Sequence, residues 1–359
     1  MKKIVIIAMK KSNFINSWVW KYINNYIPYL SKKYDVVMLY QPEETWFLSW
    51  WYRRFFKLPR ILKNNHRWYI KIFTEENFLV SCRQYFADDT IVIIHHYPFR
   101  TKVTNFKEEI IRRLSFFTFN TILKRLKNII AVSKMTKSVL DSIWIKEKYI
   151  TVIPNSVDLS SYKRLSDNER AEKRLEISKK YNISNDKKWL LYVWSNESRK
   201  NLLTLFKVLA NLSDDFILVR IWKDWSTEEL QKMNKIIKDN NLKDRYYHLQ
   251  NLSEEDLISL YQISDIYLMP SLYEWFGRPI IEAQACWCPV ISTKCWALEE
   301  ICWDWALLVD NPMNENEYIN NINKIYSEAP SLIKKWKINA DKYSASNNGH
   351  LFIEIIEKI

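Results

Sequence analysis

Glycine is almost missing from this chain, and tryptophan is far too common. The 359 residues include 2 glycines and 17 tryptophans, whereas ordinary usage would give about 25 glycines. Tight turns, helix C-caps and close backbone approaches need a positive φ or a missing Cβ, and glycine alone supplies both without strain. The composition therefore excludes an ordinary set of glycine turns in the chain as it is written.

Several tryptophans stand where apolar runs pass into loops, as in SWVWK at 17–21, VWS at 193–195 and IWKDW at 221–225. The WDW sequence at 303–305 reads more naturally as a Gly-Asp-Gly turn. We hypothesise that many of these tryptophans stand for glycine. A genome that reads UGA as glycine would give this result if it were translated with UGA as tryptophan. The alternative is a chain that uses indole for its core or for sugar stacking.

Cysteine and long apolar runs are also scarce. The five cysteines are Cys82, Cys286, Cys288, Cys295 and Cys302. Their number is odd and they lack the paired C-x2-C spacing of a zinc site, so we expect a reducing cytoplasm and no metal. No run of 18 uncharged apolar residues occurs, so we expect no membrane-spanning helix. The run from Ile4 to Met9 is too short for a signal-peptide core and predicts a buried strand.

Positive charge is in excess, with 54 Lys and Arg against 41 Asp and Glu and a formal net charge of +13. This balance favours anionic partners such as nucleotides, phosphates, lipid headgroups or nucleic acid. The basic residues are scattered and no recognised nucleic-acid motif occurs. A nucleic-acid-binding protein is therefore the weaker alternative, and we expect no nucleic acid among the partners.

Short apolar runs alternate with helical patterns, which is typical of parallel sheets wrapped by helices. The predicted strands of a first sheet are residues 4–9, 36–40, 91–94, 129–132 and 150–153. Those of a second sheet are residues 189–193, 216–221, 246–249, 266–269, 290–292 and 307–309. Helices are predicted near 21–30, 107–126 and 134–143. The break at Pro154 to Asp158 leads into a charged connector, and the region 44–85 gives no clear pattern. The fold class is therefore α/β, with two doubly wound domains.

Residues 270–292 combine a loop, a helix start and two carboxylates. The helix begins near Pro279, and its free N–H groups and positive dipole end suit a diphosphate. Glu282, one turn into the helix, can accept both hydroxyls of a ribose, and Glu274 can do the same for a sugar. The plainer alternative is a surface carboxylate pair without a ligand.

Two other groups of candidate residues lie at the carboxyl ends of predicted strands, where open parallel sheets bind ligands. Arg199 and Lys200 precede a helix start, and two cations there oppose the helix dipole unless an anion lies between them. A solvated basic helix start is the alternative. His95 and His96 follow the strand at 91–94.

Residues 270–290 resemble the P-S-x-x-E-G-F-G-x-x-x-x-E-A-x-A-C-G-x-P-V block of the family 4 retaining glycosyltransferases, with Trp275 and Trp287 in two glycine positions. Three further motifs of that family have counterparts here. They are the strand-G-x-x-x-x-x-K loop at 194–200, the P-N-G-V-D connector at 154–158 and the G-V-G-[KR]-Y loop at 18–22. The resemblance covers nearly the whole chain and is most specific over 188–312. Tryptophan repeatedly falls on a family glycine, which favours the recoding hypothesis.

The resemblance implies the GT-B fold, in which two Rossmann-like domains face each other across a crevice. An acceptor-side domain is implied over residues 1–160, with a C-terminal helix at about 345–359 packing back on it. A nucleotide-sugar-binding domain is implied over residues 161–344.

Donor-site roles also follow from the resemblance. Glu282 is implied to bind the donor ribose and Glu274 the transferred sugar, and the backbone of Phe276 and Gly277 is implied to hold sugar and phosphate. Lys200 and Arg199 are implied to bind the diphosphate leaving group. The family often has arginine directly after the loop glycine, but this chain has Ser195 there, so the role of Arg199 has the weaker basis.

On the N-terminal side, the resemblance implies that His95 lies beside the reacting sugar, with His96 as runner-up. Trp18, Trp20 and Lys21 are implied to lie in a loop that faces the diphosphate and the acceptor. Ser133 is expected to cap the next helix.

The implied reaction transfers a sugar with retention from GDP-mannose or a UDP-sugar to a hydroxyl of a saccharide or lipid-linked acceptor. No cofactor or metal is expected, because cations and helix N-termini can stabilise the leaving diphosphate. The expected setting is cytoplasmic and in envelope polysaccharide synthesis. Residues 107–127, which mix apolar and basic side chains, are the candidate for peripheral contact with an anionic membrane, although packing on the sheet is the commoner role of such a helix. The alternative function is a non-catalytic sugar-nucleotide-binding subunit, which literal tryptophans at 20, 194 and 275 would favour.

Overall fold

A computed structural model of the chain describes residues 2–8, 17–40, 58–66, 68–76, 88–97 and 119–359. The chain divides into two compact units. Unit 1 comprises residues 1–156 together with 345–359, and unit 2 comprises residues 157–344. Cys82 and most of the candidate membrane-contact segment, residues 107–118, lie outside the described residues.

Unit 1 contains a six-stranded parallel sheet in the order β2-β1-β3-β4-β5-β6. Its strands are β1 (Lys3–Ala8), β2 (Asp35–Tyr40), β3 (Ile70–Phe73), β4 (Thr90–Ile94), β5 (Ile129–Ala131) and β6 (Ile150–Val152). Strand β3 lies in the region that gave no clear sequence pattern. It has only four residues, and the lysine that interrupts its apolar pattern, Lys71, is buried and donates to Asp89 at 2.7 Å.

Unit 2 contains a second six-stranded parallel sheet, in the order β12-β11-β10-β7-β8-β9. Its strands are β7 (Lys188–Val193), β8 (Phe216–Ile221), β9 (Tyr246–Leu249), β10 (Ile266–Met269), β11 (Val290–Thr293) and β12 (Leu307–Val309). Strand β7 pairs with both β8 and β10, so the strand order reverses between β7 and β10. Ligands of doubly wound folds bind at such a reversal.

Eleven α-helices with defined bounds accompany the sheets in the described part of the chain. They are α1 (Trp18–Ser31), α2 (Leu58–Asn65), α3 (Lys134–Ser142), α4 (Asp167–Tyr181), α5 (Leu202–Ala210), α6 (Thr227–Asp239), α7 (Glu254–Ile263), α8 (Arg278–Ala285), α9 (Ala297–Cys302), α10 (Glu315–Lys342) and α11 (Ala345–Glu357). Helix α11 packs on α1, where a Cβ at Gly349 would lie 2.8 Å from Cγ of Tyr29. The predicted α/β class with two doubly wound domains is confirmed.

The charged segment after residue 158, which we expected to be a connector, contains the 15-residue helix α4. Ser166 and Glu169 form a reciprocal capping box at its start. Arg170 and Arg174 then bond to the Asp265 carboxylate at 3.3 and 3.1 Å. The helix is held to unit 2 by arginine contacts and not by an apolar stripe, which explains why its pattern resembled a linker.

Eight non-glycine residues in the described backbone have a positive φ, and they are of only two kinds. Four are asparagines: Asn182, Asn201, Asn241 and Asn251. Four are tryptophans: Trp144 (69°), Trp222 (121°), Trp287 (62°) and Trp296 (54°). Asparagine tolerates this region of φ, whereas a bulky side chain there is an outlier.

Trp144 occupies the glycine position of a Schellman motif at the end of α3. Its N–H donates to the carbonyl of Asp141 at 2.9 Å, and the N–H of Ile145 donates to that of Leu140 at 3.3 Å. These are the two hydrogen bonds that define the motif, and its left-handed residue is usually glycine.

Trp287 occupies the same position after α8. It donates to the carbonyl of Gln284 at 3.0 Å, and Cys288 donates to that of Ala283 at 2.9 Å. After α6 the equivalent residue is Asn241, with a φ of 53°. Among the described helices, the left-handed residue at the C-terminus is asparagine after α4 and α6 and tryptophan after α3 and α8.

Candidate functional site

The candidate donor site lies in unit 2, at the reversal of strand order. Strands β7 and β10 are neighbours in the sheet. The loop after β7 carries Arg199 and Lys200, and the loop after β10 carries Glu274. Because parallel strands end at the same edge, these side chains meet beyond the carboxyl ends of the two strands.

Glu274 is the centre of this cluster. Its side chain is 9% exposed and forms an ion pair with Lys200, whose side chain is 0% exposed. Ser271 donates to the same carboxylate at 2.9 Å, and Nη1 of Arg199 lies 3.4 Å from Oε2. The structure therefore brings together three of the predicted donor-site residues.

Backbone and side-chain hydrogen bonds hold the two loops against each other. The N–H of Leu272 donates to the carbonyl of Arg199 at 2.8 Å. Nδ2 of Asn201 donates to the carbonyl of Pro270 at 3.1 Å. Fixed loops keep the charged groups in place before a ligand arrives, which is what electrostatic catalysis requires.

Burial and ion pairing act on the pKa values of this cluster in opposite directions. Burial lowers the pKa of Lys200 to about 7, because the loss of water outweighs the attraction of Glu274, and Arg199 lowers it further. Burial raises the pKa of Glu274, but Lys200, Arg199 and the hydrogen bonds outweigh burial and leave it below its ordinary value. Glu274 is therefore ionised at neutral pH, whereas the charge of Lys200 depends on what lies next to it.

Phe276 and Gly277 directly precede α8. Gly277 is the N-cap residue and has a φ of 94°. A Cβ at this position would lie 2.6 Å from Cδ2 of Leu298, so only glycine fits. The Phe276 ring is buried edge-on against Tyr343 at 5.6 Å between ring centroids. Pro279 has no N–H, and the N–H of Ile280 already donates to the carbonyl of Gly277 at 3.0 Å, so the N–H of Arg278 and the positive end of the helix dipole are the features of this helix start that suit an anion.

Glu282 lies one turn into α8 and is 4% exposed. Nε of Arg278 donates to its Oε1 at 2.7 Å, and the hydroxyl of Tyr261 donates to its Oε2 at 3.1 Å. Sequence reasoning did not find these two partners. Tyr261 lies on α7, 21 residues away, and no local pattern links it to the carboxylate.

One tryptophan, Trp194, lies directly against the Lys200 ammonium. Nζ of Lys200 lies 3.5 Å from the centre of the Trp194 ring. Trp194 in turn stacks on Trp222, with ring centroids 6.0 Å apart and planes 9° apart. Both are residues that the sequence suggests are glycines, and indole at 194 occupies space next to the cation that would bind a phosphate.

His95 belongs to unit 1 and is buried, with 2% of its surface exposed. Its Nε2 donates to the carbonyl of Thr74 at 2.9 Å, and its ring lies edge-on to Tyr22 at 5.0 Å. Burial lowers the pKa of His95 to about 4, so its ring is neutral at physiological pH. His96 is more exposed and its Nδ1 lies 2.9 Å from Oε1 of Glu76. Sequence reasoning missed Glu76 because it follows β3, the strand that gave no pattern.

Trp18, Trp20 and Lys21, expected in a loop, lie in the first turn of α1 instead. Ser17 caps this helix, and its hydroxyl accepts from the N–H of Trp20 at 3.1 Å. Serine is among the preferred N-cap residues, so the helix starts earlier than its apolar pattern indicated. Ser133 caps α3 as expected, accepting from the N–H of Thr136 at 3.0 Å.

Within the described ranges, no group of three or more His, Cys, Asp or Glu side chains is placed to hold a metal ion. None of the helices there combines the length and apolar character needed to cross a membrane. Cys286, Cys288, Cys295 and Cys302 carry free thiols.

Comparison with known proteins points to one enzyme class. The Glycosyltransferase Family 4 model matches residues 15–161, and the Glycosyl transferases group 1 model matches residues 173–343. The O-antigen chain mannosyltransferase RfbU of Salmonella typhimurium is 25% identical over 244 residues, 67% of this chain and 63% of the relative. The serotype-specific mannosyltransferase WbdA of Escherichia coli is 25% identical over 194 residues, 51% of this chain and 23% of the relative.

Solved structures share the fold along the length of the chain. Anabaena HepE in complex with UDP has a TM-score of 0.79 at 14% identity, with 100% of both chains covered. WaaG, a glycosyltransferase involved in lipopolysaccharide biosynthesis, has a TM-score of 0.69 at 12% identity, with 98% of this chain and 99% of the other covered. Two glycosyltransferase family models thus match successive parts of the chain, and the solved structures share its GT-B fold. The chain spans less than two thirds of the length of the two curated mannosyltransferases that it resembles.

Proposed function

We propose that unit 2 binds a nucleoside diphosphate sugar and that the enzyme transfers its sugar, with retention, to a hydroxyl of a saccharide or lipid-linked acceptor. The observation that carries this proposal is the buried Lys200–Glu274 pair beside Arg199, at the reversal of strand order. Mannosyltransferases among the relatives support a GDP-mannose donor, whereas the UDP complex of HepE supports a UDP-sugar. No cofactor enters the proposal.

The chemical role of the cluster follows from its charges. Departure of the diphosphate places negative charge on the leaving phosphate, and Lys200, Arg199 and the α8 N-terminus are the groups suited to stabilise it. Glu274 already accepts hydrogen bonds from Ser271 and Lys200 and an ion pair from Arg199, which makes it a poor nucleophile. These contacts favour same-face attack assisted by the leaving phosphate over a double displacement.

Calorimetry with GDP-mannose and UDP-glucose tests the donor site. We expect one of them to bind, and we expect Glu282→Ala to weaken that binding about 10- to 100-fold, the effect of losing hydrogen bonds to a charged acceptor. Glu228→Ala changes an exposed glutamate on α6 and is the matched control. Unchanged binding in Glu282→Ala would contradict the ribose role. Binding without sugar release, with or without acceptor, would instead favour the non-catalytic subunit.

Donor affinity is also expected to depend on pH through Lys200. The ammonium that binds a diphosphate is charged below a pKa of about 7 and loses its proton above it. The dissociation constant for the nucleoside diphosphate should therefore rise between pH 7.5 and 8.5, by at most about tenfold. Lys200→Arg, which stays protonated, should remove the dependence. An equal pH dependence in both proteins would assign the titration to another group.

We further propose that the left-handed tryptophans, together with Trp194, Trp275 and Trp305, are glycines in the native protein. Four tryptophans with positive φ, two of them in Schellman motifs, support this. Trp305 supports it as well, because its Nε1 is buried without a hydrogen-bond partner. Trp189 is different: it is fully buried and its Nε1 donates to the carbonyl of Ser184 at 2.8 Å. A buried indole with a satisfied N–H is a true tryptophan.

The gene and the native protein test this assignment directly. We expect TGA codons at 144, 194, 222, 275, 287, 296 and 305, and a TGG codon at 189. Mass spectrometry of native peptides should show glycine at the first group and tryptophan at 189. A native peptide with tryptophan at 287 would contradict the recoding.

A further inference from the structure

Glu282, the proposed ribose ligand, accepts hydrogen bonds from two residues that have no role in the proposed function. Tyr261 reaches it from α7 with an O–H···O distance of 3.1 Å between oxygens. Arg278 reaches it from the preceding turn of α8 with a distance of 2.7 Å between Nε and Oε1. Each carboxylate oxygen thus receives one hydrogen bond, one from the neighbouring helix α7 and one from the first turn of its own helix, and together they fix the plane of the carboxylate.

The number of hydrogen bonds leaves room for a diol. An ionised carboxylate offers about four acceptor positions. Tyr261 and Arg278 occupy two of them, one on each oxygen. The two that remain, again one on each oxygen, match the two neighbouring hydroxyls of a ribose.

Tyr261 is a permanent donor to this carboxylate. It is 0% exposed, and burial together with Glu282 holds its pKa well above the ordinary value. Its ring is fixed edge-on against Tyr267, with centroids 5.7 Å apart. The phenol therefore keeps its proton and its position over any practical range of pH.

Arg278 provides a second, independent observation. Its Nη1 is buried and has no hydrogen-bond partner. A buried guanidinium N–H without an acceptor is unfavourable, and it lies in the same side chain that holds Glu282. An oxygen of a ligand bound at Glu282 would supply the missing acceptor.

We propose that Tyr261 and Arg278 are positioning residues that align Glu282 for the ribose diol, and so select ribonucleoside over 2′-deoxyribonucleoside diphosphates. This inference rests on the proposed ribose role of Glu282. A 2′-deoxyribose lacks one of the two donors, and it leaves one acceptor position of an aligned carboxylate unfilled. A misaligned carboxylate binds both sugars poorly and discriminates less between them.

The test is the ratio of dissociation constants, 2′-deoxy over ribo, for UDP and GDP measured by calorimetry. It is run in the parent chain and in the glycine-restored chain, in which tryptophans 144, 194, 222, 275, 287, 296 and 305 are replaced by glycine. We expect Tyr261→Phe and Arg278→Met each to lower the ratio about three- to tenfold, the effect of one hydrogen bond. Tyr267→Phe removes a neighbouring buried hydroxyl that bonds to Sδ of Met269 and not to Glu282, so it should leave the ratio unchanged.

The outcomes separate this inference from the proposed function. A ratio that falls in Glu282→Ala but stays constant in Tyr261→Phe overturns the positioning role. A ratio that stays constant in Glu282→Ala, or no binding of either nucleotide in either chain, overturns the ribose site itself. If Arg278→Met does not fold, Tyr261→Phe decides, because it keeps the ring and removes only the hydroxyl.

Discussion

Replacing Trp189 with glycine should destabilise the protein by about 3–5 kcal/mol, whereas the same replacement at Trp144 should stabilise it slightly. Trp189 fills the core of unit 2, and its loss removes a buried ring and a hydrogen bond to Ser184. The Arg174 guanidinium also lies 4.7 Å from the centre of its ring and would lose that contact. Little in the surrounding sheet can collapse into so large a cavity.

Trp144 has the opposite balance. Its side chain is 85% exposed, so glycine loses little apolar burial there. A left-handed backbone costs about 1–2 kcal/mol for a residue with a Cβ, and glycine avoids this cost. Glycine also loses more chain entropy on folding, which offsets about 0.5–1 kcal/mol of the stabilisation. A net stabilisation of about 0.5–1 kcal/mol remains.

Urea unfolding followed by circular dichroism measures both effects. Asn241→Gly is the matched control, because Asn241 holds the same position in a Schellman motif but tolerates its φ of 53°. Its free energy of unfolding should stay within about 0.5 kcal/mol of the parent. A clear loss of stability in Trp144→Gly would contradict the assignment of glycine at that position.

Local sequence patterns were sufficient to predict the features whose residues lie close together in the chain. Apart from β3, the strands of both sheets are short apolar runs. Glu274, Glu282, Arg199 and Lys200 each follow a strand or lie near a helix start, so their common edge of the sheet could be predicted. The Lys200–Glu274 pair itself spans 74 residues and required the order of the strands.

The features that sequence reasoning missed depend on contacts made by distant residues. Strand β3 carries a buried lysine that Asp89 makes tolerable. Helix α4 is fixed by Asp265, far along the chain, and not by an apolar stripe. Tyr261 becomes a partner of Glu282 only when α7 packs beside α8. In each case the interaction depends on a polar partner from another element, which a local sequence pattern does not reveal.

Replacing Lys200 with methionine should lower the rate of sugar release from the donor about 10²–10³-fold, as expected for removing one group that stabilises developing negative charge. Water can serve as acceptor in this assay, so the natural acceptor need not be known. Lys207→Met, which changes a partly exposed lysine on α5 paired with Glu315, is the matched control and should leave the rate unchanged.

Loss of Lys200 also leaves the Glu274 carboxylate with fewer partners in a buried setting, which threatens folding independently of catalysis. The double variant Lys200→Met/Glu274→Gln removes both charges and avoids an unpaired buried carboxylate. We expect it to recover most of the stability lost in Lys200→Met but none of the activity. A folded Lys200→Met protein that retains its rate within about tenfold would contradict the leaving-group role, because a cation at the diphosphate should contribute more than the 1.4 kcal/mol that this factor represents.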